Sequence, residues 1–212
     1  RPRRADHAAQ AVPTTPKSLR PAYRLAIDFT QWNLPADIVT PEQVEAWKAA
    51  GITKAIVGAG YHDPAVQQIR ACADGGLAVE VYRYLFWGRP MHEQVEFALS
   101  IIEDSRIQVG RLWLDAEDAV IWSVDDMLVK LIEAKRTADK YMPLGVYTRR
   151  DWWERHLANT ADFGCLPLWY ASYDGLPNFA GFQRFGGWHR PAMKQYEQNV
   201  ILAGRNVDLN AY

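Results

Sequence analysis

The stretch Leu112-Trp113-Leu114-Asp115-Ala116-Glu117-Asp118 carries the most informative local pattern in this chain. Alternate side chains of a β-strand point to the same face, so Trp113, Asp115 and Glu117 would share one face and the two leucines the other. In a barrel of parallel strands, the strand ends form a carboxyl-terminal mouth, where such folds place their active sites. The stretch therefore predicts a barrel strand that ends in a pair of carboxyl groups.

This pair of carboxyl groups indicates acid–base chemistry. Two carboxyls so close together do not both ionise freely, so one holds its proton more tightly and suits a general acid beside a charged partner. Glycoside hydrolysis requires this division of roles. The alternative is that Asp115, Glu117 and Asp118 cap the following helix and face solvent.

Strand and helix patterns alternate on both sides of this stretch. Apolar runs predict strands at 25–28, 54–58, 77–87, 111–116, 144–147 and 168–172. Helical spacing and capping residues predict helices that begin near Thr40, Asp63, Pro90 and Val124. The alternation is typical of parallel βαβ units. After residue 172, glycines and short aromatic segments predict strands and loops, so we expect one α/β domain over 23–212, a closed barrel that lacks its last helices.

Composition excludes several classes of protein. Hydrophobic residues make up 49% and charged residues 23% of the 212 residues, as in a globular chain. The net charge of −1 indicates no general attraction to nucleic acid. No apolar run reaches the roughly 18 residues that span a membrane. We interpret residues 1–22, which are basic and rich in proline, as a disordered linker or tail to which a further domain could be attached.

Cysteine and histidine usage indicates neither a disulfide framework nor a metal site. Cys72 and Cys165 are the only cysteines, and we expect them to be unpaired, although one disulfide stays open. The five histidines show no ligand spacing. No signal peptide is visible at the start, so the sequence leaves the export route open.

Two further acids could join the pair. Asp28 ends the first predicted strand, and Asp208 lies near the end of the chain. The first and last strands of a closed barrel are neighbours, so both acids could meet Asp115 and Glu117 in one acidic cup. Taken singly, a residue of either kind is more often a loop or cap residue.

Aromatic residues are numerous near the predicted strand ends. The chain has 9 Trp, 10 Tyr and 7 Phe. The relevant positions are Trp32, Tyr61, Tyr82, Tyr84, Trp87, Tyr147, Trp169, Tyr173 and Tyr196. Aromatic faces with polar edges suit sugar rings. The alternative for many of them is core packing.

Six short motifs, in this order, resemble glycoside hydrolase family 25, the Chalaropsis-type lysozymes of bacteria, fungi and phage endolysins. They are Asp28-Phe29-Thr30-Gln31-Trp32, Asp115-Ala116-Glu117, Gly145-Val146-Tyr147-Thr148, Leu168-Trp169-Tyr170-Ala171-Ser172-Tyr173, Lys194-Gln195-Tyr196 and Val207-Asp208-Leu209-Asn210. The resemblance runs from Tyr23 to the end of the chain. It implies a flattened, TIM-like barrel of five βα units followed by three strands.

The resemblance also implies an activity and residue roles. The family hydrolyses the β-1,4 bond between N-acetylmuramic acid and N-acetylglucosamine in bacterial peptidoglycan, without a metal or organic cofactor, so the enzyme would be secreted or released to act on the cell wall. By analogy Glu117 is the general acid, and Asp115 stabilises an oxazolinium or oxocarbenium-like centre. Asp28 and Asp208 would hold the other carboxyls in place. The substrate wall would be formed by Tyr61, Tyr82, Tyr84, Tyr147, Trp169 and Tyr196.

Three motifs depart from the family pattern, which suggests a divergent member. The segment 57–61 lacks the usual acid, Tyr82-Arg83-Tyr84 replaces Tyr-His-Phe, and Lys194-Gln195-Tyr196 replaces Trp-Gln-Tyr. Two alternatives therefore stay open. One is a barrel that binds glycan or cell wall without cutting it, and the other is a glycosidase acting on another amino-sugar polymer.

Overall fold

The computed structural model describes residues 23–30, 38–118 and 121–212. The interpretation of residues 1–22 as a linker and the role of Trp32 lie outside the described residues.

Within these residues the chain forms a closed barrel surrounded by helices. The strands are β1 (Leu25–Phe29), β2 (Ile52–Gly58), β3 (Ala78–Tyr84), β4 (Leu112–Asp115), β5 (Leu144–Thr148), β6 (Leu168–Ala171), β7 (Met193–Leu202) and β8 (Arg205–Ala211). The helices are α1 (Pro41–Ala49), α2 (His62–Asp74), α3 (Met91–Ser105), α4 (Val124–Ala138) and α5 (Arg150–His156). Strands β1 to β7 pair in parallel, and β8 runs antiparallel to both of its neighbours, β7 and β1. The predicted α/β barrel of five βα units and three strands is therefore confirmed.

Local sequence explains where the helices begin. Thr40 accepts a hydrogen bond from the backbone of Gln43, whose side chain accepts one from the Thr40 backbone, and Pro41 follows as the first helical residue. This reciprocal cap satisfies amides that the first helical turn leaves unpaired. Ser123 caps α4 in a similar way.

Two boundaries differ from the sequence-based expectation. Strand β3 ends at Tyr84 instead of Trp87, because the Trp87 ring leaves the sheet and packs against Trp152 in the outer core. Helix α5 was not predicted. Its seven residues are too few to show a helical period, and buried Trp152 and Trp153 anchor it instead.

The barrel interior is filled with side chains. Its apolar members are Ala26, Ile56, Tyr82, Trp113, Tyr147, Trp169, Ala171 and Met193. Below them Glu80 accepts hydrogen bonds from Lys54 at 2.7 Å and from the Trp113 indole at 2.6 Å. Burial of this ion pair is tolerated because further hydrogen bonds satisfy its charge. A filled interior leaves the carboxyl-terminal mouth as the place where a ligand can reach strand-end residues.

A substitution at Gly145 tests how tightly the barrel interior is packed. This glycine lies opposite Trp113 in the β4–β5 pairing, and a Cβ at this position would overlap the six-membered ring of Trp113. We expect Gly145→Ala to destabilise the fold by about 1–3 kcal/mol, the usual effect of overpacking a core. Gly88→Ala is the matched control, since an added Cβ there meets nothing within 4 Å. Thermal unfolding measures both, and equal melting temperatures for the two variants would contradict the packing described.

Candidate active site

Four carboxyl groups meet at the mouth of the barrel. Asp28 pairs directly with Asp208 across the β1–β8 ladder, and Asp115 is the last residue of β4. Glu117 follows two residues later. The acids also act on one another electrostatically. The negative charges of Asp208 and Glu117 raise the pKa of Asp28, and those of Glu117 and Asp28 raise the pKa of Asp115. The acidic cup expected from the sequence therefore exists in the structure.

Burial makes ionisation of these acids unfavourable. The pKa of Asp28 is raised well above its ordinary value, first by burial and then by the negative charge of Asp208. The pKa of Asp115 is raised well above its ordinary value by burial and by Glu117. Burial also raises the pKa of Asp208. A cup with these properties retains protons at pH values where exposed carboxyls have lost them.

Glu117 differs from its neighbours in exposure and in charge environment. It is half-buried, whereas Asp28 and Asp115 are 5% and 4% exposed. Burial raises its pKa, while the Tyr147 hydroxyl and the positive charge of Arg149 act in the opposite direction. Glu117 is thus an acid with a raised pKa that a ligand at the mouth can reach.

The Gln195 side chain connects two of the acids with two tyrosines. Its Nε2 donates to Asp28 Oδ1 at 2.9 Å and to Asp208 Oδ2 at 3.1 Å. Its Oε1 accepts from the hydroxyls of Tyr147 at 2.8 Å and Tyr173 at 2.9 Å. Because both N–H groups and the oxygen are engaged, the amide has one favourable orientation and holds its partners in place.

Other polar groups complete the support of Asp28 and Asp208. Asn210 donates to Asp28 Oδ1 at 2.7 Å and accepts from the Trp169 indole at 2.8 Å. The backbone amide of Asn199 donates to Asp208 Oδ1 at 2.7 Å. In contrast, Asp115 Oδ1 is buried and has no hydrogen-bond partner among the described residues. This oxygen is therefore able to accept a hydrogen bond from a ligand.

The predicted wall residues occupy different positions. Tyr82 and Tyr147 line the interior among the acids, and Tyr84 ends β3 beside Asp118. Trp169 is 1% exposed and packs against Tyr82, Trp113 and Tyr147, so it is part of the floor and not of a wall.

Tyr61 and Tyr196 are less directly connected with the cup. Tyr196 is buried, and the charged residue that acts on its phenol is Glu197. The preceding residue, Gln195, is the one that contacts the acids. Tyr61 is 45% exposed and precedes α2, in a separate cleft that also contains Arg83.

Sequence reasoning grouped Tyr173 only with the aromatic residues near strand ends, and it assigned no role to Gln195 or Asn210. The pattern that could have revealed Gln195 and Asn210 is the alternation of side chains along a strand. Met193 and Gln195 share the inward face of β7, and Asp208 and Asn210 share that of β8. These strands lie in the region for which only strands and loops were expected, without boundaries.

Cys72 and Cys165 are both free, the first buried and the second exposed. Among the described residues, no three His, Cys, Asp or Glu side chains cluster in a way that could hold a metal ion. No helix in the described part of the chain is long and apolar enough to cross a membrane.

Comparisons with known proteins agree on one family. The profile of the family described as Lysozyme-like protein 1 matches residues 22–196. The Dictyostelium discoideum protein "Probable GH family 25 lysozyme 4" is 31% identical over 170 residues, which cover 76% of this chain and 78% of that protein. Counting factor 50 from the same organism is 28% identical over 199 residues, which cover 89% of this chain and 63% of that protein.

A solved structure shows the same fold. A family 25 glycosyl hydrolase from Bacillus anthracis aligns with a TM-score of 0.68 at 12% identity, and the alignment covers 94% of each chain. The chain spans 55–63% of the length of three of the curated relatives that it matches.

The burial of Asp115 has a measurable consequence for stability. Since its pKa is raised in the folded state, the unfolded state releases this proton more readily, so the buried carboxyl lowers stability above the ordinary carboxyl pKa. The effect vanishes below that pKa, where both states hold the proton. We expect Asp115→Asn to raise the melting temperature at pH 7 by about 2–4 °C, or about 1 kcal/mol for a chain of this size.

The rise in melting temperature caused by Asp115→Asn should disappear at about pH 4. Exposed Asp162 provides the control, since Asp162→Asn removes a charge that water already solvates. Thermal unfolding at both pH values measures the melting temperatures of the two variants and the parent. A lower melting temperature for Asp115→Asn than for the parent at pH 7 would be incompatible with a destabilising buried carboxyl.

Proposed function

Because the chain belongs to the lysozyme-like proteins of glycoside hydrolase family 25, we propose that it hydrolyses bacterial peptidoglycan and that the acidic cup is its active site. The bond cleaved is the β-1,4 bond between N-acetylmuramic acid and N-acetylglucosamine. The observation that carries the proposal is the pairing of a reachable acid of raised pKa, Glu117, with the buried carboxyl of Asp115. An exported or released enzyme would meet this substrate at the cell wall.

Glu117 acts as the general acid. A proton donor must still hold its proton at the working pH and must reach the leaving oxygen, and the raised pKa and half-buried position of Glu117 support both requirements. Its proton passes to the glycosidic oxygen as the bond from that oxygen to the muramic acid carbon breaks. N-acetylglucosamine then leaves with a free hydroxyl.

Asp115 stabilises the positive charge that develops on the sugar. In a substrate-assisted reaction, the 2-acetamido oxygen attacks the anomeric carbon and forms an oxazolinium ion. A nearby cation favours the ionised form of a carboxyl, so the charge on the sugar offsets the burial that otherwise keeps Asp115 protonated. Water then attacks the anomeric carbon, gives its proton to Glu117 and reopens the ring.

Asp28, Asp208 and Gln195 act as positioning residues. Their hydrogen bonds hold the Tyr147 hydroxyl beside Glu117 and fix the Asp28 and Asp208 carboxyls at the mouth. Prearranged dipoles of this kind are effective because they need no reorganisation during the reaction. The sugar chain lies across the mouth, where the 44% exposed Tyr173 offers an aromatic edge.

Glu117→Gln tests the proposed acid. The amide preserves shape but has no proton to donate, so we expect the release of reducing ends from purified peptidoglycan to fall by at least about 100-fold. Exposed Glu103 on α3 provides a matched control, Glu103→Gln, which should retain full activity.

The identity of the reducing sugar in the products shows which bond is cleaved. Reduction with borohydride followed by sugar analysis should convert muramic acid, and not glucosamine, to its alditol. Reducing glucosamine ends would contradict the proposed bond. No release by the wild type from walls of several chemistries would favour a glycan-binding barrel.

The charge of Arg149 should set the alkaline limb of the pH profile. Glu117 must be protonated, so activity falls as pH rises through its pKa, and Arg149 lowers that pKa. We expect Arg149→Gln to move the limb of kcat/KM to higher pH by about half a unit. Arg136→Gln on the exposed face of α4 should leave the limb in place, and a shift to lower pH in Arg149→Gln would reverse the assignment.

A further inference from the structure

A cleft beside the acidic cup contains two arginines that form no ion pair with any described carboxylate. The cleft has a volume of about 430 Å³ and is lined by Tyr61, Arg83, Phe86, Arg89, Glu93 and Phe97, among others. It lies over the carboxyl ends of β2 and β3 and the residues that follow them. These are two of the places at which the sequence departs from the family pattern.

The guanidinium of Arg83 is buried, and no described carboxylate forms an ion pair with it. The residue is 7% exposed, its Nη1 donates to the Ala59 carbonyl at 2.6 Å, and its Nε has no hydrogen-bond partner among the described residues. A buried cation without an anion is costly, so an isolated one is a candidate for ligand binding. Burial and the positive charge of Arg89 both lower the pKa of Arg83.

Arg89 lies on the exposed side of the same cleft. Its guanidinium is 4.9 Å from the centre of the Phe86 ring, and that of Arg83 is 5.7 Å from it. The two cations therefore share one aromatic ring. Among the described residues, Arg149, Arg150 and Arg155 pair with carboxylates, whereas these two do not.

The cleft is close to the acids through a short series of contacts. Tyr84 pairs with Asp115 across the β3–β4 ladder, and its ring packs edge-on against Phe86 with centroids 5.1 Å apart. A ligand that spans the mouth at Asp115 can therefore extend over Tyr84 to the arginines. Peptidoglycan carries suitable anions: muramic acid presents its lactyl carboxylate where no stem peptide is attached, and the stem peptide presents its own carboxylates where one is.

We propose that Arg83 and Arg89 form a carboxylate-binding subsite that recognises the acidic substituents of the muramic acid residue. The inference rests on the proposed function for the identity of the polymer. Guanidinium groups bind carboxylates through paired hydrogen bonds. A neutral amino-sugar polymer such as chitin has no carboxylate and cannot form them. The subsite would thus favour muramic acid polymers over other amino-sugar polymers.

Small probes without a β-1,4 bond separate this proposal from catalysis. N-acetylmuramic acid presents the lactyl carboxylate, and N-acetylmuramyl-L-alanyl-D-isoglutamine presents a stem carboxylate in its place. The methyl ester of N-acetylmuramic acid and N-acetylglucosamine present neither. Titration of the ¹⁵N-labelled protein, followed at the amides of Gly60 and Gly88, measures the dissociation constant of each probe.

We expect at least one of the carboxylate probes to shift these amides and the two neutral probes to have little effect. Arg89→Gln should raise the dissociation constant about tenfold, as the loss of a charge-assisted hydrogen bond would. Arg136→Gln is the control and should match the parent. If Arg83→Gln fails to fold, Arg83→Lys, which keeps the charge but loses the paired geometry, should show an intermediate loss.

Several results would overturn the subsite: no shift with any probe, equal affinity for the acid and its methyl ester, or unchanged affinity in Arg89→Gln. The proposed function fails separately, by absence of reducing ends when peptidoglycan is incubated with the same wild-type preparation. Binding of the carboxylate probes without hydrolysis would reject the lysozyme and retain the subsite.

Discussion

Antiparallel pairing of β8 with β1 is the contact on which the mouth of the barrel depends. It closes the sheet and sets Asp28 directly opposite Asp208, so two carboxyls separated by most of the chain come within reach of one amide. The parallel strands then place Asp115 at the same edge. Without this pairing, Asp28 and Asp208 would not lie opposite each other, and the negative charge of Asp208 would no longer raise the pKa of Asp28.

Closure brings the acids together, and polar contacts make them different from one another. Asp28 and Asp208 receive hydrogen bonds from Gln195, Asn210 and a backbone amide, which hold them in fixed positions. Asp115 is equally buried, but one of its oxygens has no hydrogen-bond partner in the described part of the chain. Glu117 lies beyond the strand end, within reach of the mouth. Four residues of nearly the same chemistry thus differ in exposure, hydrogen bonding and proton affinity, which is the arrangement that a division between acid and stabiliser requires.

Divergence from the family pattern is concentrated outside this cup. The departing segments 57–61 and 82–84 lie at the carboxyl ends of β2 and β3, and the same region lines the cleft that contains Arg83 and Arg89. Because that cleft lies on the outer rim and the acids lie inside the barrel, its residues can change without disturbing Gln195 and its partners. Separate control of the reaction and of substrate choice follows from this separation in space.

The sequence by itself determined the alternation of strands and helices, the inward face of β4 and the identity of the four acids, because these depend on periodicity and on short motifs. It did not reveal α5, whose seven residues carry no period, nor the boundaries of β7 and β8. Only the tertiary structure decided that Gln195 joins Asp28 to Asp208, and that Trp169 lies in the floor and not in the wall. These are contacts between distant parts of the chain, and barrel closure and packing, not local preference, select them.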